Sequence, residues 1–466
     1  MAKRTQKSTS KTRSKQQGRA KLKPQDWTLG LTVVHPKAAA VDVGNAEHWV
    51  AVPPHMDPEP VRQFGCFTVD LLALADWLQQ LGIETVALQS TGVYWIALHD
   101  ILSERGIRVL VANPRETKNL PGRKTDIQEC QWLLKLHVYG LLRNSFRPEK
   151  RILGMRTYWR QRQQHIGDAA RCIQHMQKAL TQMNVQLANV ISDIGGWTGQ
   201  AIIAAILQGE RDPRKLAQLR DPGIKASEEE VAESLVGSWQ EDLLFVLRQE
   251  FESYQALQRK IAECDAQLKR HYQTMADKAD PKQLPPCPRE KRPHGNVPEG
   301  FDLRSELYRT TGVDLTAIDG INVLTAQTVI SEVGYDMCRF ETEAQFVSFL
   351  NLSPNNKISG GKIIGREKRK ALNRAGLALR FAATSLLRSQ TYLGAQYRRL
   401  RTKLGTPKAN KAMANKLARI VYRMLKYGEA YVDKGREFYD QKYRQIQIRL
   451  LVRKAAELGF QLTESA

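Results

Sequence analysis

The sequence has no closely spaced cysteine pair. Its six cysteines, Cys66, Cys130, Cys172, Cys264, Cys287 and Cys338, are scattered, and no C-x-x-C occurs. That pattern argues against a zinc ribbon and against a disulfide scaffold, and it suits reduced thiols in a cytoplasm. The nine histidines form no H-E-x-x-H or H-x-x-x-H cluster. There is no apolar run of about 18–20 residues to cross a bilayer. Nor is there an apolar stretch near the start that reads as a secretory signal. Acids are in short supply: 48 Asp and Glu face 71 Lys and Arg, a formal charge of +23. Such a surplus costs self-repulsion and implies a polyanionic partner, with nucleic acid the first candidate.

What is present suffices for folded cores. Hydrophobic residues make up 42% of 466, a length that suggests two or three domains. Residues 1–24 contain no acid and almost nothing apolar, so a disordered basic tail is expected over 1–26, either a nucleic-acid arm or a solubilising segment.

From 27 to 150 short apolar runs alternate with helical ones. Ala38 to Val52 predicts two strands about a Gly44-Asn45 turn, and Val61 to Phe67 a third. Val69 to Leu81 is helix-like, Glu84 to Leu88 a strand, Tyr94 to Arg105 a helix, and Arg108 to Ala112 a buried strand. This alternation predicts an α/β domain with a mixed sheet. From 151 to 276 the chain reads as helical. Ile166, Ala169, Ile173, Met176, Leu180, Met183, Leu187 and Val190 keep spacings of three and four, as do Leu247, Phe251, Tyr254, Leu257, Ile261, Cys264, Leu268 and Tyr272. These are coiled-coil seams, for an antiparallel hairpin, a dimer coil or both. A Pro-rich charged linker is expected over 277–304, a mostly helical basic domain over 305–440, and a terminal helix or tail over 441–466.

Four constellations carry chemistry. Asp42 sits in a strand, where an acid is costly unless paired or bound to metal. Asp126 and Glu129 open a helix three residues apart, on one face. Carboxylates converging from a strand and a helix suit Mg²⁺, which takes oxygen ligands, one or two ions being possible. Taken alone, helix capping is the better account of Asp126 and Glu129. Second, Gln89-Ser90-Thr91-Gly92-Val93-Tyr94-Trp95 follows a strand and can turn backbone N–H groups to a phosphate, or is an ordinary turn with Tyr94 and Trp95 in the core.

Third, Ser359-Gly360-Gly361-Lys362 places an unhindered hydroxyl beside two glycines. Lys362, Arg366, Lys368, Arg369, Lys370 and Arg374 surround it with positive charge, as Arg123 and Lys124 flank Asp126. The residues alone favour a phosphate-gripping loop; a nucleophilic serine would need activation from elsewhere, since no histidine lies in the segment. Fourth, Leu315 to Gly334 predicts two short helices about Asp319-Gly320-Ile321-Asn322, either a helix-hairpin-helix that grips a DNA backbone or a plain tight turn.

In order, VDVGNAEHWVAV, QSTGVYW, NP, GRKTDIQECQW and LSPNNKISGGK resemble the insertion-sequence transposases of family one-ten, in particular its eleven-eleven branch. The likeness runs from about residue 38 to 430. The resemblance implies an RNase H-like (RuvC-like) DEDD domain over 27–150, a coiled-coil insert, and a C-terminal transposase domain with a catalytic serine. It implies Mg²⁺, donor and target DNA, an element-encoded guide RNA, and homodimers or homotetramers with a site shared between subunits. Carried over, Asp42 matches the first acid, Asp126 the third and Ser359 the nucleophile. Gln89 stands where the family has Glu, and Glu129 where it has Asp, so the tetrad holds three charges. Gly360, Gly361 and Lys362 would contact nucleic acid. Two alternatives stand beside this reading: a metal-dependent junction-resolving nuclease with no covalent intermediate, and a binding protein whose catalytic site has decayed.

Overall fold

The computed structural model describes residues 30–89, 92–117, 125–286, 295–366 and 373–463, without the side chains of Arg115, Glu116 and Arg366. The chain divides into two compact units, one ending at Arg147 and one beginning at Pro148.

In the first unit β1 (Ala38–Val43), β2 (Glu47–Ala51) and β3 (Val61–Gly65) form a meander. They are followed by α1 (Thr68–Gln80), β4 (Thr85–Gln89), α2 (Trp95–Glu104), β5 (Arg108–Ala112), α3 (Pro114–Thr117) and α4 (Asp126–Val138). The five strands lie in the order β3-β2-β1-β4-β5. β1 pairs antiparallel with β2 and parallel with β4, and β5 continues parallel. Parallel neighbours need crossovers, and α1 and α2 supply them. This is the mixed sheet that the alternation of short apolar runs predicts, and it is consistent with an RNase H-like α/β domain.

The two faces of the sheet differ in side-chain size. Ala39, Val41, Val43, Val86 and Leu88 face Leu74, Leu78, Leu98 and Leu102 of α1 and α2. The other face is alanine-rich: Ala38, Ala40, Ala51, Ala87 and Ala112 lie under Cys130, Leu133, Leu134 and Val138 of α4. Small side chains let α4 approach closely, and the Cys130 thiol reaches the carbonyls of Ala40 (3.2 Å) and Trp49 (2.9 Å).

The second unit opens with α5 (Lys150–Gln182). Four short helices follow: α6 (Leu187–Val190), α7 (Trp197–Leu207), α8 (Pro213–Ala217) and α9 (Glu228–Ser234). Then comes α10 (Glu241–Gln273). α5 and α10 run antiparallel. Arg162 pairs with Asp265 near one end, and His175 Nδ1 lies 2.9 Å from Glu250 nearer the other. The first heptad run departs from expectation at its end. The helix stops at Gln182, Asn184 takes φ +58°, and Leu187 and Val190 belong to α6. Leu187 is buried even so, among Met183, Val185, Ile202 and Leu247.

The Arg162–Asp265 pair is almost wholly buried, and both partners carry further bonds. Arg162 Nη1 donates to Asn296 O (2.8 Å), and Glu299 N donates to Asp265 Oδ2 (3.1 Å). Removing one member would leave an uncompensated charge, a loss of about 3–5 kcal/mol. The pair thus fixes part of the Pro-rich stretch onto the helices.

After α11 (Leu303–Thr311) comes α12 (Val323–Val333), docked on the base of α5. Arg160 donates to Glu332 through Nε (2.7 Å) and Nη2 (2.6 Å), and Trp159 Nε1 donates to Thr328 Oγ1 (3.1 Å). Then follow α13 (Glu343–Phe349), β6 (Asn356–Ser359), β7 (Lys362–Arg366), α14 (Arg374–Ser385), α15 (Tyr392–Leu404), α16 (Thr406–Tyr427) and α17 (Gly435–Glu457). Where two short helices were expected before Gly334, the first is a single 3-10 turn, Leu315–Ala317. Gly320, at φ +88°, packs so closely on α14 that a Cβ would stand 2.8 Å from Ala382 O. Asp319, behind it, accepts from Ser389 and Thr391. No described helix is long and apolar enough to cross a membrane.

Candidate functional site: an acidic sheet end and a serine hairpin

Asp42 follows Ala38 and Ala40 on the alanine-rich face, because side chains alternate along a strand. It is half-buried. Cys130 of α4 packs on the same face. Burial pushes its thiol far above the ordinary range, and the Asp42 carboxylate pushes it further. Val41 is paired with Leu88, so Gln89 ends β4 on the strand beside Asp42. Gln89 is 5% exposed. On its other side it pairs with Ala112, which lies under α4.

Asp126 and Glu129 lie in the first turn of α4, capped by Thr125 Oγ1, which accepts from Gln128 N at 3.3 Å. Asp126 is exposed and Glu129 half-buried. Asp126 stands one turn before Cys130 on the same side of the helix. Cys130 touches β1 at Ala40, while His137, near the far end of α4, meets Thr85 at the start of β4 (3.1 Å). α4 therefore runs opposite to β1, and its first turn comes to the strand ends that carry Asp42 and Gln89. The fold brings all four residues to one end of the domain. Among the described residues, no three His, Cys, Asp or Glu side chains are grouped closely enough to hold a metal ion. The donors are all oxygen, which fits a hard cation in chemistry.

Two residues at this end escaped the sequence reading. Cys130 is one; its position follows Glu129 on a helix whose inward face was not assigned. Trp49 is the other. It pairs across the sheet with Asp42, and its indole N–H is buried without a partner, an unusual state for such a group. The alternation EHWVAV held a signal for it, since it places Trp49 on the same face as the alanines.

Of the turn after β4, Ser90 and Thr91 lie outside the described residues. Gly92 has φ +54°, and its carbonyl accepts from Trp95 Nε1 at 3.2 Å. Tyr94 is exposed rather than in the core, and Trp95 lies under the Arg147 guanidinium.

Ser359 stands in a β-hairpin, where a loop was expected. β6 and β7 pair antiparallel, Ser359 opposite Lys362, and Gly360 (φ +54°) and Gly361 (φ +75°) form the two-residue turn. Two positive φ values in succession match the tight turn whose twist fits the strands, and glycine adopts them without strain. Ser359, Gly360, Gly361 and Lys362 are exposed. Ile358, Ile363 and Ile364 are exposed as well, so the hairpin projects from its unit. Its stem is held by α16, where Lys411 Nζ donates to Ser353 O at 3.2 Å. Arg374 is exposed at the start of α14. Arg123, Lys124, Lys368, Arg369 and Lys370, and the side chain of Arg366, lie outside the described residues.

A transposase model of the DEDD type matches residues 39–185, spanning Asp42, Gln89, Asp126 and Glu129. A second model, described as the transposase family of IS116, IS110 and IS902, matches residues 314–398, spanning Ser359. Together the two matches support an IS110-family transposase, an enzyme of DNA transposition that acts on DNA. A comparison with curated proteins finds no match.

Proposed function

We propose that this transposase cuts and rejoins DNA through Ser359, with an element-encoded RNA choosing the sites. The observation that carries the reading is the exposure of Ser359 at a Gly-Gly hairpin turn, where a bulky phosphodiester can reach the hydroxyl. In the attack an Oγ–P bond forms as the bond from phosphorus to one sugar oxygen breaks. The serine proton is released, and the leaving oxygen takes one up. The phosphodiester energy is kept in the phosphoserine link, so rejoining needs no added energy source. Lys362, opposite Ser359 in the hairpin, and Arg374 would neutralise the phosphate.

Asp42, Asp126 and Glu129 would hold Mg²⁺, with the Gln89 side-chain carbonyl as a neutral donor. The ion would supply charge stabilisation at the attacking and leaving oxygens. Asp126 is exposed on the first turn of its helix, open to an incoming ion. Base pairing of the guide would set sequence choice while the protein holds helical shape and backbone. Dimers or tetramers would bring the acidic end of one subunit to the serine of another.

The test is a denaturing gel of purified protein with the flanking RNA, donor-end DNA and Mg²⁺. A covalent protein–DNA adduct is expected, absent in Ser359→Ala and in Asp42→Ala. Cleavage without an adduct would replace this reading with a junction-resolving nuclease. Tight RNA binding with neither product would identify a binding protein with a decayed site.

A further inference from the structure

Between α16 and the start of α17 lies a cleft of about 550 Å³. Its size falls within the range of small-molecule pockets, roughly 300–1,000 Å³. The loop from Gly428 to Lys434 forms one wall. Gly428 closes α16 in the left-handed conformation, and Asp433 pins the loop by accepting from Tyr392 N at 3.1 Å. Two features of the lining decide its chemistry. Lys416, Arg423, Lys434 and Lys442 line it against one acid, Glu429. Arg423 is committed to Glu343 (2.5 Å), which leaves the three lysines to face the cleft. The second feature is aromatic. Tyr392, Tyr431 and Phe438 line the same space, with Tyr392 and Phe438 6.3 Å apart between ring centres, and Lys434 Nζ 5.0 Å from the Phe438 ring.

Cations exclude a metal ion, and aromatic faces serve no purpose for inorganic phosphate alone. Aromatic rings together with lysines suit a group that is planar at one end and anionic at the other. We propose that this cleft holds one unpaired nucleotide of a single strand, its base against Tyr392 and Phe438 and its phosphates at Lys416 and Lys442. A base in a duplex presents no free face, so the cleft takes a bulge, a loop or a strand end. The proposal rests on the reading of the chain as a nucleic-acid enzyme, and it adds a site distant in sequence from both Ser359 and the acids.

The experiment measures binding of the full chain to short fluorescent oligouridylate, oligothymidylate and a mixed-sequence duplex, across a salt series. Phe438→Leu should weaken single-strand binding about tenfold and leave duplex binding unchanged. Lys442→Gln, on an exposed helical position, should reduce the single-strand salt slope by about 0.7. A thiouridine-substituted oligomer should photocrosslink to the segment from Glu429 to Lys442. Comparison of the uridylate and thymidylate affinities tells whether RNA or DNA is the source. Unchanged single-strand affinity in both variants, with duplex binding intact, would overturn the cleft proposal alone. So would displacement of the oligomer by poly-glutamate as readily as by nucleotide, which would mark an acidic-peptide site. Failure of the parent protein to bind any nucleic acid would overturn the proposed function, and the cleft proposal with it.

Discussion

His137 shows how one buried residue can make the first unit sensitive to pH. Its ring is 1% exposed, lies 3.1 Å from Thr85 Oγ1, and leaves Nδ1 without a partner. Burial, with the nearby His35 and Arg108, brings its pKa down to about 4. The unfolded chain therefore binds a proton that the folded one refuses, between about pH 6.5 and about pH 4. Stability is full above that window and is lost as pH falls through it, by on the order of 3 kcal/mol for a shift of this size. Urea unfolding at the two ends of the window should show the loss in the parent and a smaller one in His137→Leu. Equal losses in both would mean that His137 is not the group responsible.

At the scale of elements, the Ser359 hairpin makes a sharp prediction. Gly361 has φ +75° with open space around it, so a side chain there would meet backbone strain and no clash. Gly361→Val should cost the hairpin about 1–2 kcal/mol. The melting temperature of the protein should hardly move, since the hairpin is exposed, while adduct formation falls. Gly360→Asn, a residue suited to this turn, should keep both. A Gly361→Val protein with full adduct yield would show that turn geometry does not position Ser359.

The hairpin also shows why sequence reading succeeded unevenly. The strands and helices of the first unit were legible because most are short apolar runs between turn residues. β6 and β7 carried the Gly-Gly turn signal, but Ile358, Ile363 and Ile364 face outward, so no alternation of apolar and polar residues marked them. The first heptad run was extended to Val190 because spacing says nothing of the backbone break at Asn184. The segment from Leu315 was read as the first of two short helices because the Asp319-Gly320-Ile321-Asn322 turn suggests a helix-hairpin-helix. Of that expected first helix, only Leu315 to Ala317 forms a helical turn, a 3-10 one.

At the scale of the molecule, the placement of Asp42, Gln89, Asp126 and Glu129 toward one end of the first unit was legible only through the ordered set of family motifs. No spacing in the sequence joins a strand at 42 to a helix at 126; the parallel pairing of β1 with β4 and the packing of α4 do that. Cys130 and Trp49 stayed hidden for the same reason, as their role depends on which side of the sheet α4 covers. The surplus of +23 was legible at once, and it suits an enzyme that must hold phosphate backbones.

Gln89 has one more consequence, which concerns folding. A carboxylate at that nearly buried strand end, next to Asp42, would need a counter-ion before the sheet could close around it. An amide needs none. The first unit should therefore reach its native state before any ion is loaded, and a chelator should leave its melting temperature unchanged. Gln89→Glu should lower that temperature, and Mg²⁺ should restore part of it in proportion to the logarithm of its concentration. The neutral side chain would separate the assembly of the domain from the loading of the proposed ion, which would then act in the reaction alone.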